Sequence, residues 1–422
     1  MAESGSLLGT VLDLEIGAPG HGGFCVARHE GRVVFVRHAL PGELVRARVT
    51  EDNGGSYCRA DAVEVVRASA DRVEAPCPYA GPGRCGGCDW QHVSADGQRE
   101  LKRQVVLEQF RRFASMDVAE LLTEVEELPG GVLGWRTRIT YAVDREGQVG
   151  LHPHRSHEVE PVEQCLLGVP GVGDGEELAQ QWPGLNALEI LASGAGDGAT
   201  TVIGHRPGPA RKGRGRRAPD RLQVLAGPAY VRHQVGGHDL LSSADGFWQV
   251  HQHALATFTS AVLDMAGLVP GEHVLELYAG SGALTVSLAD AVGPGGKITA
   301  YEGNATAVAD AEQNLTDLAQ ASVAQARVDA ALIERAVAEH GRPAVVVLDP
   351  PRSGAGEAVM QALVEVASRG IVYVACDPVA LARDVAASQR SGWRLVTLRA
   401  FDAFPMTHHV ECVALLVQGL SP

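Results

Sequence analysis

The chain has 422 residues and carries 36 Lys and Arg against 51 Asp and Glu, for a formal net charge of −15; its length implies two or three domains of about 100–200 residues, each able to bury a core. A field of that sign repels phosphates, which excludes a general polyanion binder and leaves nucleic-acid recognition to local patches and pockets. No apolar run approaches the roughly 18 residues of a membrane span, and the acidic, small-residue start Met1-Ala2-Glu3-Ser4-Gly5 is no secretory leader, so a cytoplasmic protein with no membrane partner is expected.

Residues 1–68 read as a small antiparallel β-barrel. Thr10 to Ile16 alternates, a Gly-rich turn spans Gly17 to Gly23, and further strands follow at Phe24 to Ala27, Arg32 to Arg37 and Leu44 to Val49, with Pro41-Gly42 as a turn. Arginines punctuate its polar face, which suits either solvent or RNA.

Residues 69–240 read as a mixed α+β central domain. Cys77, Cys85 and Cys88 stand in a Cys-x7-Cys-x2-Cys pattern among glycines and prolines that let the backbone fold around a metal centre. In a cytoplasmic chain, thiols at this density point to metal or cluster ligation rather than disulfides. Cys165 is the candidate fourth ligand. Zinc and an iron–sulfur cluster both accept four thiolates, and spacing alone does not separate them. Cys25, Cys58 and Cys412 read as small buried hydrophobes.

Gly97 to Ala114 has the period of an amphipathic helix, with Leu101, Val105, Leu107, Phe110 and Phe113 against Lys102, Arg103, Arg111 and Arg112. Trp135 to Val143 alternates arginine with apolar residues, as a sheet face gripping phosphates does; a solvated face fits equally. His152, His154 and His157 read as surface-loop histidines more readily than as ligands. The segment 206–217 carries six Lys or Arg and no acid, a flexible basic loop that suits either RNA contact or plain disorder.

Residues 241–422 alternate strands and helices, the pattern of a doubly wound, Rossmann-like sheet. The strand His273 to Tyr278 leads into the turn Ala279-Gly280-Ser281-Gly282 and a helix, and the next strand, Lys297 to Tyr301, ends in Glu302, twenty residues after Gly282. A carboxylate there is placed to accept ribose hydroxyls. Only two of the three fingerprint glycines are present and no Walker lysine follows, which favours S-adenosylmethionine over a dinucleotide. Asp329 is a plausible adenine-side contact, and Asp349 closes the fourth strand, Ala344 to Leu348, where cofactor and substrate meet. Cys376 closes the strand Ile371 to Ala375 and precedes Asp377-Pro378 and a helix. Glu411 opens the last apolar run beside His408 and His409.

These features resemble the RNA (uracil-5-)-methyltransferases over nearly the whole length, most like the 23S rRNA enzymes. The motifs that carry the resemblance are Phe247-Trp248-Gln249-Val250, Asp349-Pro350-Pro351-Arg352, Tyr373-Val374-Ala375-Cys376-Asp377-Pro378 and His409-Val410-Glu411, in the family's order, with Ser156-His157 leading to Cys165-Leu166. The resemblance implies a TRAM-type barrel, a 4Fe-4S cluster on Cys77, Cys85, Cys88 and Cys165 with zinc as the alternative, a class I methyltransferase domain, and an RNA partner, ribosomal rather than transfer RNA, for a monomeric enzyme. It also implies Gln249, Tyr278, Glu302 and Asp349 at the S-adenosyl-L-methionine, with Asp329 beside them, Cys376 as nucleophile and Glu411 as base. Three positions depart from the family, His251 where Asn is usual and Ala375 and Asp377 where Ser-Cys-Asn-Pro is usual, and Cys77 and Cys85 are set slightly farther apart than in many members.

Residue chemistry agrees with that expectation. C5 of uracil is too weak a nucleophile to take a methyl group until a thiolate adds at C6, and a base must then remove the C5 proton. The start of the helix after Cys376 is expected to help ionise the thiol, with Asp377 opposing if its carboxylate faces the sulfur. The same reaction on tRNA, cytosine-5 methylation and a noncatalytic RNA-binding role are the alternatives. The cytosine enzymes resemble a pattern with an additional cysteine after the Pro-Pro motif, and Arg352-Ser353-Gly354 stands there instead.

Overall fold

The computed structural model describes residues 6–209 and 218–419; most of the expected basic loop 206–217 lies outside these residues. The barrel comprises β1 (Val11–Glu15), β2 (Pro19–Gly20), β3 (Phe24–His29), β4 (Arg32–Arg37), β5 (Leu44–Glu51) and β6 (Tyr57–Arg67) in the order β1-β5-β6-β4-β3-β2. Alternate residues point inward, so Leu12, Leu14, Val34, Val36, Val45, Ala47 and Val49 share one core. The expected all-antiparallel pairing is corrected at one place: β4 and β6 run parallel, Val33 opposite Tyr57, because β5 pairs with β1 and leaves the slot beside β4 to β6. The barrel arginines are largely paired with acids: Arg32 with Asp52, Arg46 with Glu64, Arg59 with Glu51 and Arg67 with Glu15.

Helix α1 (Ala95–Ala114) starts where Ser94 accepts a hydrogen bond from Gly97 N and stops at Ser115, which turns to φ +53°. Strand β7 (Val125–Glu127) follows. A six-stranded antiparallel sheet then comprises β8 (Arg138–Val143), β9 (Val149–Leu151), β10 (Glu160–Pro161), β11 (Ala187–Ala192), β12 (Thr200–Arg206) and β13 (Arg221–Ala226). The arginines leading into β8 do not form an outward phosphate grip. The Arg138 guanidinium is held by Glu189 and by the carbonyls of Ala244 and Gly246, and Arg136 Nε donates to Arg138 O. Each guanidinium satisfies carbonyls that the neighbouring chain would otherwise bury unpaired. The hairpin β14 (Tyr230–Val235) and β15 (His238–Ser243) turns at Gly236-Gly237, both at positive φ, as its two-residue loop requires.

The rest of the chain alternates as expected: α2 (Ala254–Ala266), β16 (His273–Leu277), α3 (Ala283–Val292), β17 (Lys297–Glu302), α4 (Ala305–Asn314), β18 (Ala321–Gln325), α5 (Ala330–His340), β19 (Val345–Leu348), α6 (Glu357–Val366), β20 (Gly370–Ala375), α7 (Pro378–Arg390), β21 (Trp393–Asp402) and β22 (Glu411–Gln418). The sheet order is β18-β17-β16-β19-β20-β22-β21-β7. Strands β16 to β20 are mutually parallel; the central β19 and β20 read as continuous apolar runs because both faces are covered, whereas the edge strand β18 is largely exposed. Strand β22 enters antiparallel between β20 and β21. Strand β7, from far upstream, adds a parallel edge, with Ala400 opposite Val125. Helix α1 covers that end, packing Val106, Leu107 and Phe110 into one core with Leu381, Val385 and Leu398. No helix among the described residues is long and apolar enough to cross a membrane.

Lys102 corrects the expected polar face of α1. It is fully buried, its ammonium bonded to the Asp402 carboxylate and to Phe404 O at 3.0 Å. Burial draws the ammonium's pKa down despite Asp402. Removing one partner of a buried pair leaves an uncompensated charge. Lys102→Met is therefore expected to destabilise the fold by about 3–5 kcal/mol, read as a fall in the urea midpoint. An unchanged midpoint would show the pair to be dispensable.

Candidate active site

Three neighbouring strand ends meet at the carboxyl edge of the sheet. Asp349 follows β19, Cys376 follows β20, and Glu411 opens β22. Ala375 lies opposite Cys412 in the antiparallel β20–β22 pair, and continuing that register sets Cys376 opposite Glu411. The reversed direction of β22 is what brings a strand beginning to an edge made of strand endings. Open α/β sheets bind their ligands at this edge.

Electrostatics there favour neutral side chains. Burial raises the Glu411 carboxyl well above the usual carboxylate range, with Asp349 adding to the rise and Arg352 opposing it. Burial also lifts Asp349 to about 7. The Cys376 thiol is pushed up to about 12 by burial, then by Glu411 and Asp349, with Arg352 lowering it and Asp377 raising it. The expected help from the helix start does not arise. Asp377 caps α7 instead, its Oδ1 accepting from Val379 N at 2.9 Å and Ala380 N at 3.1 Å. Those N–H groups are thereby committed to a carboxylate and not to the sulfur.

At the other end of the site, Tyr278 leaves β16 at φ +63°, an uncommon conformation for a side chain of that size. Gly280 follows at φ +56°, and a Cβ there would meet nothing within 4 Å, so the turn is open on its outer side. Glu302 ties this turn to β17: its Oε2 accepts from Gly280 N at 3.0 Å and its Oε1 from Asn304 N at 2.7 Å. Asp329 is the N-cap of α5 and accepts from Leu332 N. Gln249 is half-buried in the segment joining β15 to α2. The donors and carboxylates thus line one edge, β16 to β19, with Cys376 and Glu411 next along it.

Cys77, Cys85, Cys88 and Cys165 are half-buried; burial raises the thiols of Cys85, Cys88 and Cys165, and other thiols of the four lie near enough to add to the rise. Burial pushes Cys88 up to about 12. N–H donors face the sulfurs: Gly87 N reaches Cys85 Sγ at 3.4 Å and Gln91 Nε2 reaches Cys88 Sγ at 3.3 Å. Gly86 is required, since a Cβ there would stand 2.5 Å from His154 N. Arg136 supplies a cation beside Cys165 and Cys88; burial lowers its pKa and those thiols oppose the fall. Sulfur-only donors, N–H groups and a buried cation suit a negatively charged thiolate centre. Among the described residues, no three His, Cys, Asp or Glu side chains are arranged to hold a single metal ion, and His152, His154 and His157 form no such group.

Sequence reading missed several groups. Glu276, inside β16, is buried; burial raises its carboxyl to about 8, with Asp349 contributing. Arg352 reaches His409 at 3.3 Å. Asp89 accepts from His408 at Nδ1 (2.6 Å) and N (3.2 Å) and pairs with Arg37 of the barrel. The cysteine loop also grips the loop before Glu411: Met406 O accepts from Asp89 N and Trp90 N, and Met406 N donates to Gln98 Oε1. Met406 itself stands at φ +67°, a strained conformation held by these bonds. Only Arg352 had a local signal, the Pro-Pro-Arg motif.

Comparison with known proteins places these features in context. The family model described as tRNA (Uracil-5-)-methyltransferase matches residues 244–419, and that of the TRAM domain matches residues 5–63. An uncharacterized RNA methyltransferase of Streptomyces avermitilis is 44% identical, covering 97% of this chain and 98% of that relative. The 23S rRNA (uracil(1939)-C(5))-methyltransferase RlmD of Shewanella sp. (strain MR-4) is 29% identical, with 94% of this chain and 93% of the relative covered. The crystal structure of the Pyrococcus abyssi tRNA (uracil-54, C5)-methyltransferase in complex with S-adenosyl-L-homocysteine shares the fold at a TM-score of 0.69 and 21% identity, covering 96% of this chain and 100% of that one.

Proposed function

The chain belongs to the RNA (uracil-5-)-methyltransferase family, and we propose that it methylates C5 of a ribosomal RNA uridine from S-adenosyl-L-methionine through a covalent Cys376 adduct. The convergence of Asp349, Cys376 and Glu411 at adjacent strand ends carries this reading. S-adenosyl-L-methionine supplies an electrophilic methyl group on a sulfonium. Glu302 and the Gly280 turn would hold its ribose side, with Asp329 and Gln249 alongside and Tyr278 and Asp349 toward the reacting end.

The Cys376 thiol passes its proton to solvent and its sulfur bonds to C6 of the uracil, while the C5–C6 π electrons move into an enolate that makes C5 nucleophilic. C5 takes the methyl group while the donor's C–S bond breaks onto sulfur. Glu411 then removes the C5 proton, the C5–C6 double bond reforms and Cys376 leaves. A raised pKa makes the ionised Glu411 a stronger proton acceptor. Cys77, Cys85, Cys88 and Cys165 would hold a 4Fe-4S cluster. Methyl transfer moves no net electrons, so a cluster held by these four residues would serve to tie residue 165 to the loop that grips Met406. The 29% identity to a 23S rRNA enzyme over nearly the whole length supports ribosomal RNA over tRNA.

Mass spectrometry of nucleosides from a deletion strain is expected to show one 5-methyluridine lost from rRNA and restored by complementation. Loss from tRNA instead would reassign the substrate, and loss from neither would overturn the reading. Protein purified without oxygen is expected to contain iron and sulfide, lost in Cys88→Ser; zinc in their place would make the site structural zinc.

A further inference from the structure

The loop between β2 and β3 of the barrel reaches the strand ends of the methyltransferase sheet. His21 Nε2 stands 3.3 Å from Asp377 Oδ2, on the residue that follows Cys376, and its ring meets that of His408 edge-on at 6.1 Å. His408 is in turn held by Asp89. At Gly23, φ +80°, a Cβ would stand 2.6 Å from the Asp89 carboxyl carbon, so the loop is pressed onto this residue and its reach is fixed. One Asp377 oxygen caps α7 and the other faces His21. Burial alone would raise the Asp377 carboxyl, but the His21 contact and the α7 N–H groups hold it below its usual range.

We propose that His21 is a positioning residue of the methyl transfer: it holds the Asp377 carboxylate against the barrel and offsets its charge, so that the neighbouring Cys376 can ionise. The groups that face Cys376 are Glu411, Asp349, Arg352 and Asp377, three acids against one cation. Those that face His21 are Asp377 and His408. A carboxylate beside a thiol opposes thiolate formation, and a donor fixed on that carboxylate weakens the opposition. The barrel thereby acts on the chemistry as well as on RNA. His21 affects turnover only if Cys376 is the nucleophile, but its effect on the thiol exists with or without RNA.

The test is the rate of iodoacetamide alkylation of Cys376 in the whole protein without RNA, followed by peptide mass spectrometry across pH. His21→Ala is expected to move the alkylation midpoint upward by roughly half to one pH unit, a threefold to tenfold slower reaction below it, the contact being partly screened by solvent. In an Asp377→Asn background, which keeps a capping oxygen, His21→Ala is expected to change nothing. The same variant should lower kcat by a similar factor with little change in KM for RNA. A His21→Ala profile that superimposes on the wild type, or an equal slowing in the Asp377→Asn background, would overturn the proposal. His21→Gln, which keeps an N–H donor, carries the same test should the alanine variant not fold. Activity retained in Cys376→Ala would instead remove the nucleophile assignment and leave the alkylation result standing.

Discussion

Cys376→Ala is expected to lower methyl transfer to uracil-containing RNA by on the order of 10⁴-fold or more, because removing a covalent nucleophile removes the whole low-barrier route and not a single contact. The loss should fall on kcat. S-adenosyl-L-homocysteine affinity should be unchanged, since Tyr278, Gly280 and Glu302 lie on the β16 and β17 side of the edge. The side chain is half-buried and alanine adds no bulk, so the melting temperature should barely move. Measuring transfer of radiolabelled methyl groups to substrate RNA alongside ligand titration separates these effects. Activity within tenfold of the wild type would eliminate the covalent mechanism.

Glu411→Gln should fail at a different step. The amide keeps the shape of the carboxyl and removes its ability to accept a proton, so addition of Cys376 and methylation of C5 proceed while elimination stalls. The expected result is a methylated RNA–protein adduct that survives denaturation and migrates slowly on a gel, with turnover reduced by about 10²–10⁴-fold. Its formation should require both the methyl donor and Cys376. Burial and Asp349 raise the wild-type carboxyl well above the usual carboxylate range, which makes its ionised form a stronger proton acceptor for the elimination step. Gln matches the buried carboxyl in size and introduces no charge, so folding should be little affected. Rapid turnover without adduct would assign proton removal to another group.

Much of this architecture is legible in the residue order. The strands β19, β20 and β22 announce themselves as apolar runs, and Asp349, Cys376 and Glu411 stand out because each is a polar group at the end or start of such a run. What sets their surroundings is not legible. Asp89, His21 and His408 are single polar residues in loops, with no period to mark them, and they meet only through the fold. Lys102 sits among the charged positions of an amphipathic helix yet is buried, because its partner Asp402 lies 300 residues away. Asp377 read as a charge near the thiol; its capping role depends on a side-chain direction that spacing does not encode. The parallel β4–β6 and β7–β21 pairs likewise lack a local signature, since parallel partners are joined by long crossovers.

The placement of β7 on the edge of the catalytic sheet bears on the order in which the molecule can be built. During synthesis α1 and β7 leave the ribosome more than 250 residues before α7 and β21, against which they pack. Until then Leu107 and Phe110 lack the part of their core that α7 and β21 supply and Lys102 lacks its counter-charge, so the growing chain carries a partly open apolar stripe through most of its own translation. The last strand pair to emerge, β21 with β22, both closes that stripe and delivers Glu411. A nascent chain therefore gains Glu411, the proposed base, only in the step that completes its sheet.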